Sequence, residues 1–387
     1  MNPSLALLPC AYDTGKLYSV LPEDGTGDFT VLRNGTGTYL GKDGLLKTAQ
    51  ANEPRLEFNP DGTFKGVLVE PASTNLLIRS EEFENASWVK SSGLLITPNS
   101  LISPNGTLTA DTFTPVASAV SSVSRTLTSP IGLITMSVWA KVASGTKQFR
   151  FFRFNGIDSL VSSGAFVATT IWQRFTWTTS PTVSDSSWYI SNFTAESSEM
   201  FIWGAQLEVG SVATSYIPTV ASQVTRPADV ISRTGIADLI GQTEGSVYVE
   251  CNKQMDLTLE RIFSIYSTSN PSFDNISLSK TSDNNIILAV RKNNNLSSYI
   301  FFGFTGIIKK IAFAYSKEIN GIVLYLNGSQ VILQTNSADF SSTLEEIYLG
   351  MIRPSITTAN IFNGEFKKSL IFKTRLTNAQ LQALTTL

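Results

Sequence analysis

The 387-residue sequence contains no histidine. That excludes Ser-His-Asp and Cys-His nucleophilic catalysis and every His-ligated zinc site. Cysteine is nearly as scarce. Cys10 and Cys251 are too few for a disulfide framework and have no metal-ligand spacing. Charge is thin as well. Asp, Glu, Lys and Arg make up 16% of the chain, against about a quarter in ordinary globular proteins. The formal net charge is −2, and no Lys/Arg run exceeds two residues. The Lys-Lys pairs are Lys309-Lys310 and Lys367-Lys368. Neutralising a phosphate backbone takes a basic stripe, so nucleic acid is not an expected partner. No apolar run approaches the ~18–20 residues of a membrane-spanning helix, so no membrane partner is expected either. SLALLPCA, residues 4–11, is short and lacks a basic flank, so it does not read as a signal peptide.

What is present points to strands. Apolar residues are 42% of the chain, enough for a sizeable core. Ser, Thr, Asn, Gly, aromatic and β-branched residues replace the Glu and Lys of surface helices. Period-2 runs recur: ITMSVWAKV (134–142), KQFRFFRF (147–154), WQRFTWTTS (172–180) and MFIWGAQLEV (200–209). In the third, Trp172, Arg174, Thr176 and Thr178 face one way, and Gln173, Phe175 and Trp177 the other. Turn signals separate the runs at the spacing of a sandwich. The expected fold class is all-β, with two antiparallel β-sandwiches after a short hairpin-rich N-terminal region. The expected division is 1–72, an N-terminal region that docks on the first sandwich or on another protein; 73–220, a jelly roll; 221–242, a connector around Arg226-Pro227; and 243–387, a second sandwich. At the end of the chain, Thr377 with Gln380 fits a capping box that opens a short helix.

Three stretches carry a family resemblance: NLLIRSEEFENASWVK (75–90), SPNGTLTADTF (103–113) and WGAQLEVGSVATSYIPT (203–219). Together they resemble the carbohydrate-binding-module-like domain of phage tail and virion proteins. PSLALLPCAYDTGKLYSVLPEDGTGDFTVLRNGTGTYLGKDGLL, PRLEF and GVLVEPASTNLL extend the resemblance over roughly residues 3–227. It implies that 203–219 is the last strand of the jelly roll, pairing near the first. The elements KKIAFAYS, LYLNG, YLGM and TNAQLQAL resemble the close of concanavalin A-like lectin and glucanase sandwiches.

The resemblance implies a virion protein, a tail, fibre or spike component displaying lectin-like sandwiches for host-surface glycan. Its partners would be other virion proteins and that glycan, with homo-oligomerisation, a trimer foremost. The competing readings are an architectural part that binds only virion proteins, and a glycan depolymerase. Catalysis is the weaker of these. Glu81, Glu82, Asp185, Glu196, Glu199, Glu345 and Glu346 do not form the Glu-x-Asp-x-x-Glu pattern of concanavalin-like glucanases, and the chain is not expected to be an enzyme.

All six tryptophans, at 88, 139, 172, 177, 188 and 203, fall in the jelly-roll segment. Trp139 and Trp203 lie in apolar strands and read as core. Trp188 lies in the polar stretch VSDSSWYISNFTAESS, which reads as a connection between strands. Two readings stay open for Trp188: packing in a strand core or interface, or a candidate glycan site of Trp188 and Tyr189 for stacking, with Asp185 and Asn192 answering hydroxyls. Arg153, Asn155 and Asp158 in FRFNGIDSLVSS are further candidates, although Asn155-Gly156 is also a hairpin signal in its own right. No cofactor is expected. Structural calcium occurs in such folds, and Asp274, Asn275, Asp283, Asn284 and Asn285 offer oxygen ligands, but no EF-hand-like spacing supports a metal site.

Overall fold

The structure is a computed structural model. It describes all residues except 129, 155–159, 183, 255–258, 270–273, 284, 293–294, 302–306, 319–320, 335–337 and 352–360; at 185, 253–254, 295–300 and 334 it describes the backbone alone. The chain is all-β, with 51% of residues in strands and 3% in helix. It divides into two compact units: residues 1–44, 48–72 and 227–387, and residues 45–47 with 73–226.

In the second unit two antiparallel sheets face each other. One runs, in spatial order, through Val89–Lys90, Ser122–Thr128, Asp185–Asn192, Lys147–Phe154 and Val161–Ser162. The other runs through Leu95–Ile102, Leu108–Thr114, Met200–Val209, Ile134–Lys141 and Gln173–Thr179. From Ser122 onward the long strands alternate between sheets, as in a jelly roll. Alternate residues point inward, so Met136, Val138, Phe149, Phe151, Trp188, Ile190 and Ile202 share one core. Phe175 and Trp177 pack against it from the expected face of their strand.

The stretch 203–219 closes this sandwich on itself. Met200–Val209 lies between Leu108–Thr114 and Ile134–Lys141. The Leu76 amide donates to the Leu207 carbonyl, and the Asn75 side chain donates to the carbonyls of Ala205 and Ile217. The last strand is thus laced to the first segment of the unit. Gly204 sits at φ +66°, where a side chain is strained. The register shifts there between Ser137 and Trp139, which turns Trp203 to the outer side against Tyr216.

The first unit also has two antiparallel sheets around one core. Residues 1–72 build into both sheets. Leu5–Leu7 and Phe64–Val69 pair with Gly364–Phe372, and Phe29–Leu32 pairs with Val230–Arg233. Leu5, Phe29, Val31, Val67 and Val69 pack with Phe263, Phe313, Ile347 and Phe366. Val230–Arg233, inside the expected connector, pairs on its other side with Leu344–Leu349. The terminal helix Asn378–Thr385 opens on the Thr377–Gln380 capping box, as its sequence predicts.

Beneath these strands lies a buried network of four charges. The Arg33 guanidinium donates to Asp229 at 3.0 Å, and Arg55 donates to Glu70 at 2.6 Å and to the second oxygen of Asp229. The Glu70 amide also donates to Asp229, and the Thr38, Gln50 and Gly35 carbonyls accept further N–H groups of the two arginines. Burial alone would lower the Arg55 pKa; Asp229 and Glu70 outweigh it and hold the guanidinium above its ordinary value. Removing one partner of such a set strands the others without water. Asp229→Ala should cost ~3–5 kcal/mol of folding stability, read by chemical denaturation. Deleting residues 1–72, which removes Arg33 and Arg55 together, should leave no cooperatively folded first unit.

Candidate functional site

The strand Asp185–Asn192 decides where the sequence-predicted site residues go. The stretch read as a polar connection is an eight-residue strand between Ser122–Thr128 and Lys147–Phe154. Its alternation separates Trp188 from Tyr189. Trp188 points inward, has no exposure, and meets Trp177 edge-on with centroids 6.1 Å apart. Of the two readings of Trp188 the structure takes the core one, and the surface stacking role is overturned: Trp188 and Ile190 carry the core face, with Ser186 buried beside them, while Ser187 lies on the other face. Asn192 is also buried; its carbonyl oxygen accepts the Ser121 amide at 2.6 Å, a structural task. Arg153 is buried, opposite Trp188 on the neighbouring strand. Asp185 pairs with Thr128 through its backbone, and its side chain lies outside the description, as do Asn155 and Asp158.

Among the described side chains of the set, Tyr189 alone reaches the outer face. There it stacks on Phe152, its cross-strand partner, with centroids 4.1 Å apart and planes 10° from parallel. The Arg150 guanidinium lies 5.6 Å from the Phe152 ring centre and 5.4 Å from that of Phe193. Phe154 continues the row and is 42% exposed. On the other flank, Ser122, Ser124, Thr126 and Thr128 share the outer side of Ser122–Thr128, and the Thr126 and Ser187 hydroxyls bond to each other. The Tyr189 hydroxyl bonds nothing among the described residues. Sequence reasoning missed Phe152, Phe154 and Arg150. The signal was present in KQFRFFRF, whose even-numbered residues form a second, outward face.

This face offers flat apolar rings, a planar cation and a row of hydroxyls, the groups that meet the C–H faces and hydroxyls of sugars. Among the described residues it offers no paired acids. Glu82 is paired with Arg79, Glu196 with Lys147, and Glu199 accepts from Thr114. Glu81 accepts from Tyr216, and burial raises its pKa. Among the described residues no group of three or more His, Cys, Asp or Glu could hold a metal ion. Asp274 is committed to the amides and hydroxyls of Ser341 and Ser342. Asn284, another calcium candidate, lies outside the described residues.

No known family model matches the chain, and no curated protein matches it. Solved structures align with part of it. The CBM40 of Ruminococcus gnavus IT-sialidase, bound to alpha2,6 sialyllactose, is 15% identical over 38% of this chain and 86% of its own, with a TM-score of 0.33. The NanB sialidase of Streptococcus pneumoniae is 12% identical over 40% of this chain and 26% of its own, at 0.34. A structure from a study of botulinum neurotoxin type C and two ganglioside molecules is 16% identical over 41% and 39%, at 0.32. Likeness at this level speaks to neither ligand nor activity.

Two measurements check the placement. Trp188→Ala should cost ~3–5 kcal/mol of stability in chemical denaturation, as for other core tryptophans, whereas Tyr189→Ala should leave the transition nearly in place. The second concerns Asp111, which accepts the Phe83 and Asn99 amides. Burial outweighs those amides and pushes its pKa up to about 7. The folded state then keeps a proton that the unfolded state releases near ~4. The stabilisation is complete below that lower value and is lost as pH rises through 7. The melting temperature should therefore fall between pH 5 and pH 8, and Asp111→Asn should flatten part of that fall.

Proposed function

We propose that this chain is a non-catalytic phage virion protein of the tail, fibre or spike kind, and that its jelly-roll unit binds host-surface glycan through the outer face centred on Tyr189. The observation that carries the glycan reading is the outward-facing row of exposed Phe154 and half-buried Phe152, Tyr189 and Arg150, flanked by serine and threonine hydroxyls. Water gains little from such a face, while a pyranose ring satisfies both its apolar and its polar parts. The virion setting rests on the long ordered motifs between residues 3 and 227, and the concanavalin A-like character of the last sandwich on its closing motifs. The same motifs favour a homo-oligomer, a trimer foremost.

One observation favours the architectural reading. Ile102 and Leu108 pair across an edge hairpin and are 52% and 56% exposed, with Leu95 at 59% on the same strand. Large aliphatics at an exposed edge suit contact with another protein.

Tyr189→Ala and Arg150→Ala should each weaken host adsorption or glycan-array binding by ~1–3 kcal/mol, the loss of a stacking or planar contact at a hot spot, without a matching loss of stability. Unchanged adsorption by both variants, with reduced adsorption by Ile102→Ser, would transfer the function to the hairpin and leave the architectural reading.

A further inference from the structure

The first unit contains a separate concavity of about 450 Å³. That volume falls within the ~300–1,000 Å³ of small-molecule sites. Four neighbouring strands of one sheet build its floor, Phe64–Val69, Gly364–Phe372, Glu244–Gln254 and Ile307–Ser316. Both ladders of Glu244–Gln254 shift register there, between Glu250 and Cys251 on one side and between Glu250 and Lys253 on the other. Bulges of this kind re-aim side chains and are common beside binding sites.

The walls are cationic. Lys65, Lys309, Lys310 and Lys367 line the cavity and outnumber the one lining acidic side chain, Glu250, so both lysine doublets of the sequence contribute to it. Lys65 is held by Glu365 at 2.7 Å, and Lys310 donates to the Thr386 carbonyl at 2.6 Å. These two are fixed. Lys367 makes a long ion pair with Glu250 at 3.8 Å and is half-exposed, and the Lys309 ammonium bonds nothing among the described residues. These two remain available to a ligand. Asn59 and Asn252 donate through their amide nitrogens to Thr63 and Glu365, which leaves both carbonyl oxygens unengaged. The Phe64 ring, edge-on to Phe58, supplies an apolar wall.

We infer that this cavity binds an acidic oligosaccharide of the hexuronate type, with the sugar carboxylate between Lys309 and Lys367 and its hydroxyls on Asn59 and Asn252. A bare anion would use the ammonium groups and leave the amides and ring without a role. A neutral sugar would leave the Lys309 and Lys367 ammoniums without a role, which disfavours it. Lysines spread over an exposed sheet face can also serve solubility alone, and the experiment separates that case.

The full chain is titrated with trigalacturonate, maltotriose and inorganic phosphate by calorimetry at low and at physiological salt. Trigalacturonate should bind, weaken as salt rises, and lose at least about tenfold in affinity with Lys309→Ala and again with Lys367→Ala. Asn252→Ala should weaken trigalacturonate and leave phosphate unaffected. Maltotriose bound as tightly as trigalacturonate, phosphate alone bound, or trigalacturonate bound equally by the lysine variants would each overturn the inference. Tyr189→Ala should bind trigalacturonate normally, so failure here and failure of the jelly-roll site are told apart. Melting curves confirm that each variant is folded.

Discussion

The first unit depends on one buried carboxylate. Asp229 accepts from Arg33 through one oxygen and from Arg55 and the Glu70 amide through the other. Two guanidiniums reach it from the N-terminal segment, while Asp229 stands just before the strand Val230–Arg233 of the sheet those residues join. An apolar contact would tolerate a sliding register. Two guanidiniums each giving one N–H to a different oxygen of the same buried carboxylate do not, because each charged hydrogen bond is short and directional. The network therefore sets where residues 29–70 dock relative to 229, and the ladders on either side follow. Such a network contributes little net energy once desolvation is counted, so its value is in specifying the arrangement.

Strand alternation governs the jelly-roll unit in the same way. A strand between two others has two faces and no further freedom, so a single residue step exchanges core for surface. Trp188 and Tyr189 differ by that step. The larger ring fills the interior and the phenol reaches water. On the neighbouring strand Arg153 and Phe152 are divided by the same rule. The outcome is counter to simple hydropathy: an arginine lies inside and phenylalanines lie outside. Phe152 is stabilised there by Tyr189 and Arg150, since stacking and cation–π contact offset part of the cost of an exposed ring.

The all-β class was legible in the sequence because low charge and period-2 runs are local properties. The capping box was legible for the same reason, since its two partners are three residues apart. The placement of Trp188 was not. Serines at 184, 186, 187 and 191 give its stretch the polar look of a connection, and only the pairing to Phe151 and Val123 on either side shows which residues face the core. The aromatic row required two strands to be set side by side, Phe152 against Tyr189. The lysine cavity required more still, residues from 59 to 367 brought together across four strands. The Lys-Lys pairs drew attention in the sequence only as too short to form a basic stripe.

That dismissal was correct for a polymer of phosphates and incomplete for a single carboxylate. Whole-chain charge measures the far field, which salt screens beyond ~8 Å at physiological strength. A net charge of −2 therefore places no limit on the potential inside a concavity a few ångströms wide. Low overall charge even sharpens local contrast, because few neighbouring ions compete for the same ligand. In this chain some charged groups are consumed internally, by Asp229 and its partners in one unit and by Lys147 with Glu196 in the other. So where Lys309 stands beside the loosely paired Lys367 on a bulged sheet, their chemistry is set by the walls around them rather than by the chain as a whole.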